Sequence, residues 1–210
     1  MCKHHQKAQS DVCLICLEPI LKNISFVHIL NSLPICSNCI KKFHTLHLHE
    51  IWNEVPLTIL YAYDEFFKSL LFQYKGLYDY ALKDVFFALY KPQLQKKYRN
   101  HIYVIAPSNE EDNQIRGFAP VEEIVKTISP HVFTGLYKKE KYKQSSLSYQ
   151  ERQEVENRIG IRNGELLKGK KIVLVDDVMT SGATLKACFK LVKEYSPQSI
   201  DILVLSKKVE

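Results

Sequence analysis

The chain has 210 residues, 46% hydrophobic and 25% charged, with a formal net charge of +6. That is enough apolar material for one medium α/β core plus a small module. No apolar run approaches the ~20 residues a membrane span needs, and the start of the chain lacks the apolar segment of a secretory signal. A cytoplasmic protein is therefore expected. The mild basic excess is compatible with nucleic acid or phosphorylated ligands and diagnoses neither.

The first element is a cysteine pattern: Cys13 and Cys16, nineteen intervening residues, then Cys36 and Cys39. Each pair has two residues between its members, the spacing of a zinc knuckle. Two such turns brought together give a tetrahedral four-thiolate site suited to Zn²⁺. So short a segment buries too little surface to fold alone, and metal binding would supply its folding energy. Disulfides are disfavoured in a cytoplasmic protein, and a redox pair would need only one such turn beside a βαβ unit. The expected site is structural and closed, within a zinc-binding module at residues 1–52. Cys2, His4 and His5 are left out of the ligand set, and His44, His47 and His49 read as surface residues.

Residues 52–56 read as a joint, and residues 57–210 as the second domain. A strand is expected at 57–63. Asp64 would then cap a helix whose stripe is Phe66, Leu70, Leu71 and Tyr74, ended by Lys75 and Gly76. Leu82, Val85, Phe86 and Leu89 suggest a second helix over 79–90, stopped by Pro92. Its aromatic residues read as core rather than as a platform for bases. The next strand, 101–107, leads to a polar loop at 108–114 and then to Arg116, Gly117 and Phe118. A helix at about 121–128, a strand at 132–137 and a long polar loop at 138–150 follow. Lysines cluster in that loop at Lys138, Lys139, Lys141 and Lys143, and again at Lys168, Lys170 and Lys171. Such runs are a solvated face or a nucleic-acid patch. Residues 152–158 are expected to be helical, and Gly160 and Gly164 punctuate the approach to the next strand.

That strand is the most informative stretch. Ile172, Val173, Leu174 and Val175 form a run suited to a fully buried parallel strand. Asp176 and Asp177 follow, then a small-residue turn of Thr180, Ser181, Gly182, Ala183 and Thr184. A helix follows with Leu185, Cys188, Phe189 and Val192 on one face. A strand feeding a tight turn into a helix N-terminus makes a cradle for phosphate, because amides and the helix dipole favour negative charge there. The plainer reading is a strand ending in two aspartates, with Thr180 or Ser181 capping the helix. A last strand is expected at 200–205. Strands alternating with helices imply a parallel sheet with helices on both faces, with ligands beyond the carboxyl ends of its strands.

The stretch from Asp176 to Thr184 resembles the 5-phosphoribosyl pyrophosphate (PRPP) signature of type I phosphoribosyltransferases. With the four cysteines in front of it, the chain resembles the ComF family over nearly its whole length. Weaker matches are Lys75, Arg116 with Gly117 and Phe118, and Gln144, Leu147 and Arg152. The resemblance implies a phosphoribosyltransferase-like parallel sheet behind a four-cysteine zinc module. It assigns Asp176 and Asp177 to the ribose hydroxyls, directly or through Mg²⁺. Thr180, Ser181, Gly182, Ala183 and Thr184 would wrap the 5-phosphate, and Lys75 and Arg116 would meet pyrophosphate or another acidic group. It also implies a competence factor of natural transformation, handling incoming single-stranded DNA with a helicase partner at the cytoplasmic face of the membrane. The alternatives are an active Mg²⁺-dependent phosphoribosyltransferase of nucleotide metabolism and a PRPP-sensing regulator of duplex DNA. The sequence departs from the family pattern at Ala119 and Pro120, where Asn-Gln is usual. It departs again at Glu110, Glu111 and Asp112, where relatives are basic, and at Val155. The 5-phosphate half of the site is thus expected intact and the pyrophosphate half weakened.

Overall fold

The computed structural model describes residues 12–20, 33–139 and 158–208. Six strands form one sheet in the order β1-β2-β8-β7-β3-β4. They are β1 (Thr45–Trp52), β2 (Val55–Ala62), β3 (His101–Ile105), β4 (Val132–Phe133), β7 (Lys171–Met179) and β8 (Ser199–Lys207). All neighbouring pairs are parallel except β1 with β2. A separate antiparallel pair joins β5 (Leu136–Lys138) to β6 (Ile159–Ile161).

Alternation along the strands divides the core in two. Val173 and Val175 of β7, with Leu203 and Leu205 of β8, face one layer; Ile172, Leu174, Ile202 and Val204 face the other. The first layer holds the short helix α1 (Ser37–Ile40) with α2 (Glu65–Gly76), α3 (Lys91–Lys97) and α5 (Pro120–Lys126), and the second holds α6 (Ala183–Lys193). Both faces of the parallel strands are covered, which is why their sequences are continuous apolar runs. The mixed α/β architecture expected from the sequence is the one observed.

The N-terminal residues join the first layer rather than standing apart from it. Cys13, Ile35, Cys36, Cys39 and Phe43 belong to the same buried cluster as Tyr61 and Phe67. The Phe43 ring lies 5.0 Å from Tyr61 and 5.1 Å from Phe66. Residues 45–52, counted with the cysteine module in the sequence reading, form β1 and pair with β2. The expected joint at 52–56 is the turn of that hairpin, with Asn53 and Glu54 both at positive φ (47° and 68°), the type I′ geometry that suits a twisted antiparallel pair.

Helix α2 forms as expected. The Phe67 amide donates to Asp64 Oδ1 at 2.9 Å, and Phe67, Leu70, Leu71 and Tyr74 are buried. Four other expectations change. Residues 79–90 are not an α-helix: a 3₁₀ turn, Tyr80–Asp84, is followed by hydrogen-bonded turns, although Leu82, Val85 and Phe86 are buried as the spacing suggested. Pro92 opens α3 instead of stopping a helix, since the first turn needs no proline N–H. The polar loop at 108–114 is largely helix α4 (Glu110–Arg116), capped by Asn109 Oδ1 on the Glu111 amide (2.9 Å) and closed by Gly117 at φ 79°. The expected strand at 132–137 is two strands, β4 and β5, in different sheets. The expected helix at 152–158, and Lys141, Lys143, Gln144, Leu147, Arg152 and Val155, lie outside the described residues apart from position 158.

The chain leaves β3 toward β4 on one side and leaves β7 toward β8 on the other, while β3 and β7 are neighbours. Their carboxyl ends therefore flank the switch point of the sheet, where such folds place ligands.

Candidate functional site

β7 runs past its apolar core, so Asp176 and Asp177 lie within the strand and not after it. Side chains alternate, and the two carboxylates leave on opposite faces. Asp177 shares a face with Val175 and forms an ion pair with Lys75 from the last turn of α2. Asp176 is on the α6 side, close enough to the buried Cys188 to help burial push that thiol up to about 12. Asp176 Oδ1 accepts the Asp177 amide at 2.9 Å, and the Ser206 hydroxyl donates to the Asp177 carbonyl at 3.1 Å. Both bonds fix the strand end from β7 itself and from β8.

Helix α2 begins beside the end of β2 and finishes on β7, with β8 lying between those strands. It thus crosses the sheet and delivers Lys75 to the switch point. Arg116 arrives from α4: its Nε donates to the Lys75 carbonyl (3.3 Å) and its Nη1 to Asn113 Oδ1 (2.9 Å). Burial pulls Lys75 down to about 8, against the Asp176 carboxylate and with help from Arg116 and Lys138. Burial pushes Asp176 up to about 6, opposed by Lys75 and Lys138. The fold therefore concentrates two acids and three bases at one rim.

The turn after β7 has the expected shape. Gly182 sits at φ 74°, and the first intrahelical bond of α6 runs from the Lys186 amide to the Gly182 carbonyl (2.9 Å). The amides before Lys186 thus have no acceptor within the helix. Ser181 Oγ accepts the Ala183 amide only at 3.4 Å, and no side chain caps the helix at Gly182. Thr180 and Ser181 are exposed, Ala183 and Thr184 half-buried.

The residues that depart from the family pattern have local structural roles. Glu110, Glu111 and Asp112 occupy the exposed first turn of α4, where carboxylates complement the helix dipole. Ala119 is the N-cap of α5, and the Pro120 carbonyl accepts the Tyr74 hydroxyl at 2.9 Å. Sequence reasoning missed Lys138 as a neighbour of Asp176, Asn113 as the brace for Arg116, and Ser206. Of these, only Lys138 had a signal, as a member of a lysine cluster.

Two recesses border the rim. Beside β3, Pro107, Ser108, Glu110, Asn113, Glu122 and Tyr137 help to line one of about 130 Å³. On the outer side of α2, Tyr63, Lys68, Phe72, Lys75 and Arg116 help to line a groove of about 540 Å³.

At the other end of the chain, Cys13, Cys16, Cys36 and Cys39 present sulfur atoms all within 4.8 Å of one another, a group that could hold a metal ion. Cys16 Sγ and Cys36 Sγ are 3.6 Å apart, close to the ~3.8 Å between thiolates bound tetrahedrally at ~2.3 Å to zinc. The first knuckle is closed by Cys13 amide to Glu18 carbonyl and Leu17 amide to Cys13 carbonyl, both 2.9 Å, and tied to the second by Leu14 amide to Pro34 carbonyl (2.9 Å).

Residues 114–210 match the family model of the phosphoribosyl transferase domain. The chain is similar to the competence protein ComFC of Streptococcus pneumoniae, 28% identical over 171 residues, 79% of this chain and 77% of that one. The ComF resemblance read from the cysteines and the Asp176–Thr184 stretch is thus borne out. Among solved structures, a hypoxanthine-guanine phosphoribosyltransferase of Bacillus anthracis is 17% identical, with a TM-score of 0.39 over 68% of this chain and 71% of that one. A purine phosphoribosyltransferase of Pyrococcus horikoshii is 22% identical, with a TM-score of 0.36 over 60% and 73%. No helix among the described residues is long and apolar enough to cross a membrane.

Proposed function

We propose that this protein is a ComFC-like competence factor that handles incoming single-stranded DNA in the cytoplasm, at the inner face of the membrane, on a fold that binds PRPP or another ribose phosphate. The observation that carries the reading is the meeting of Asp176, Asp177 and the glycine turn at the switch point between β3 and β7. In this reading the amides of Gly182, Ala183 and Thr184, with the hydroxyls of Thr180, Ser181 and Thr184, hold the 5-phosphate. The aspartates receive the ribose hydroxyls, and Arg116 and Lys75 receive a second acidic group. The relation to ComFC supports the role in transformation, and the helicase partner follows from the family resemblance alone. Zinc is the metal we assign to the four cysteines, where it would hold the two knuckles together and so complete the first layer of the core.

Two features favour a binding factor over a salvage enzyme. The recess beside β3 is shallow and open, about 130 Å³ against the ~150 Å³ of an enclosed cavity that accepts a benzene ring, so it offers a purine little enclosure. The groove along α2 is larger, carries Lys68, Lys75 and Arg116 against one lining acid, Glu65, which pairs with Lys68 at 3.6 Å, and has Phe72 at 61% exposure. A basic groove with an exposed aromatic ring suits a single strand, whose bases stack and whose phosphates need cations.

The test is anisotropy of a labelled oligonucleotide across a salt series, beside calorimetry with ribose 5-phosphate. The reading requires single-strand binding that weakens steeply with salt and loses affinity in Phe72→Ala. It also requires ribose 5-phosphate binding that Asp177→Asn removes. Salt-independent DNA binding, or none at low salt, overturns the first part, and an unaffected Asp177→Asn overturns the second.

A further inference from the structure

We propose that Lys75 is a built-in cation for the acid pair: its ammonium occupies the place against Asp177 that a divalent metal ion would take, so a ribose phosphate binds here without magnesium. This rests on the ribose-phosphate reading of the crevice. Three observations point to it. Lys75 and Asp177 are ion-paired with side chains only 28% and 15% exposed, so this is not a loose surface contact. Asp176 Oδ1 already accepts the Asp177 amide, which engages one of the pair's four carboxylate oxygens. The lysine is also braced from behind, because Arg116 holds its carbonyl and Asn113 holds Arg116, fixing the end of α2 to α4.

These residues fit a magnesium ion poorly as they stand. Mg²⁺ needs nearly octahedral oxygen ligands at ~2.0–2.1 Å. Here an ammonium fills one carboxylate, and Lys138 adds a second positive field at Asp176. A dication entering this site must displace or sit beside Lys75 against like-charge repulsion. A ribose with two hydroxyls meets no such conflict: hydroxyls donate to carboxylate oxygens, and the ammonium remains to face the negative charge of the ligand.

The experiment uses the full-length, zinc-loaded protein and Mn²⁺ as a paramagnetic probe, with free Mn²⁺ read by electron paramagnetic resonance. Wild type should take up Mn²⁺ at least about tenfold more weakly than Lys75→Met, which keeps the aliphatic stem and removes the charge. Lys75→Arg should behave as wild type, and Asp177→Asn added to Lys75→Met should abolish the gained site. Tight Mn²⁺ binding by wild type overturns the proposal whatever the variants do, and so does a folded Lys75→Met protein that gains no site. In a second arm, ribose 5-phosphate is titrated calorimetrically in metal-free buffer and with magnesium. Equal wild-type affinity supports the proposal, and magnesium dependence overturns it. Failure of ribose 5-phosphate to bind in either buffer, with the Mn²⁺ pattern intact, sinks the ligand reading and leaves the occupied cation site standing.

Discussion

Replacing Gly182 by alanine is a direct probe of the turn between β7 and α6. The residue sits at φ 74°, where an L-residue with a Cβ is disfavoured by roughly 1–2 kcal/mol. The lower entropy of the unfolded chain returns about 0.4–1 kcal/mol. Sterically the new Cβ would lie 3.0 Å from Met179 Cε and 3.6 Å from Trp52 Cζ2. The first atom is the free end of a flexible side chain and can swing away; the second is an ordinary contact. The backbone therefore dominates, and Gly182→Ala should destabilise the protein by about 1 kcal/mol, or about 2–4 °C in Tm for a chain of this size. Gly117 supplies the control: its φ is 79° and nothing lies within 4 Å of its Cβ position, so Gly117→Ala carries the same backbone penalty without Met179. Urea denaturation of the two variants should give midpoints lowered by similar amounts. A neutral or stabilised Gly182→Ala beside a destabilised Gly117→Ala refutes the left-handed turn, and with it the orientation of the amides that follow.

Other expected outcomes follow from the same reasoning. Asp64→Ala removes the cap on α2 and should cost about 1 kcal/mol in urea unfolding; no loss would mean the Phe67 amide finds another acceptor. Glu54→Gly should stabilise the β1–β2 hairpin by about 0.5–1 kcal/mol, because glycine accepts the φ of 68° that glutamate resists. Burial holds Asp176 at about 6 in place of 3.8, so the folded protein keeps a proton that the unfolded chain releases between those values. The stability this group contributes is present below pH 3.8 and lost as pH rises through 6. Asp176→Asn should gain on wild type between about pH 4 and pH 7, and a constant gap would refute the assignment. Cys39→Ser should lower the bound metal measured by mass spectrometry and lower Tm in a single transition, since Cys39 shares a buried cluster with Tyr61 and Phe67. Two separated transitions would show that the knuckles unfold on their own.

Much of the site was legible because its signals are local. Four cysteines at knuckle spacing, two acids after a β-branched run, and a glycine turn before an amphipathic stripe each lie within a few residues. What escaped the sequence is non-local or lacks a pattern. Helix α4 buries no residue, so no apolar stripe marks it, and only Asn109 and Gly117 at its ends could have given it away. Residues 79–90 satisfied a helical spacing because Leu82, Val85 and Phe86 reach one core from a 3₁₀ turn and the turns after it. The pairing of Lys75 with Asp177 depends on α2 crossing the sheet and not running back along it, a matter of packing that periodicity does not record. Likewise β1 looked like part of the cysteine module, because an edge strand's partner is set by the hairpin turn and not by its own composition.

The central claim, that amides following the acid pair converge on one anion, is tested most directly by amide nuclear magnetic resonance of the labelled protein during titration with ribose 5-phosphate. Saturable shifts shared by Gly182, Ala183, Thr184 and Leu185, with one dissociation constant, are the result expected. Shifts confined to other parts of the chain, with those four amides unmoved at saturation, would contradict the account.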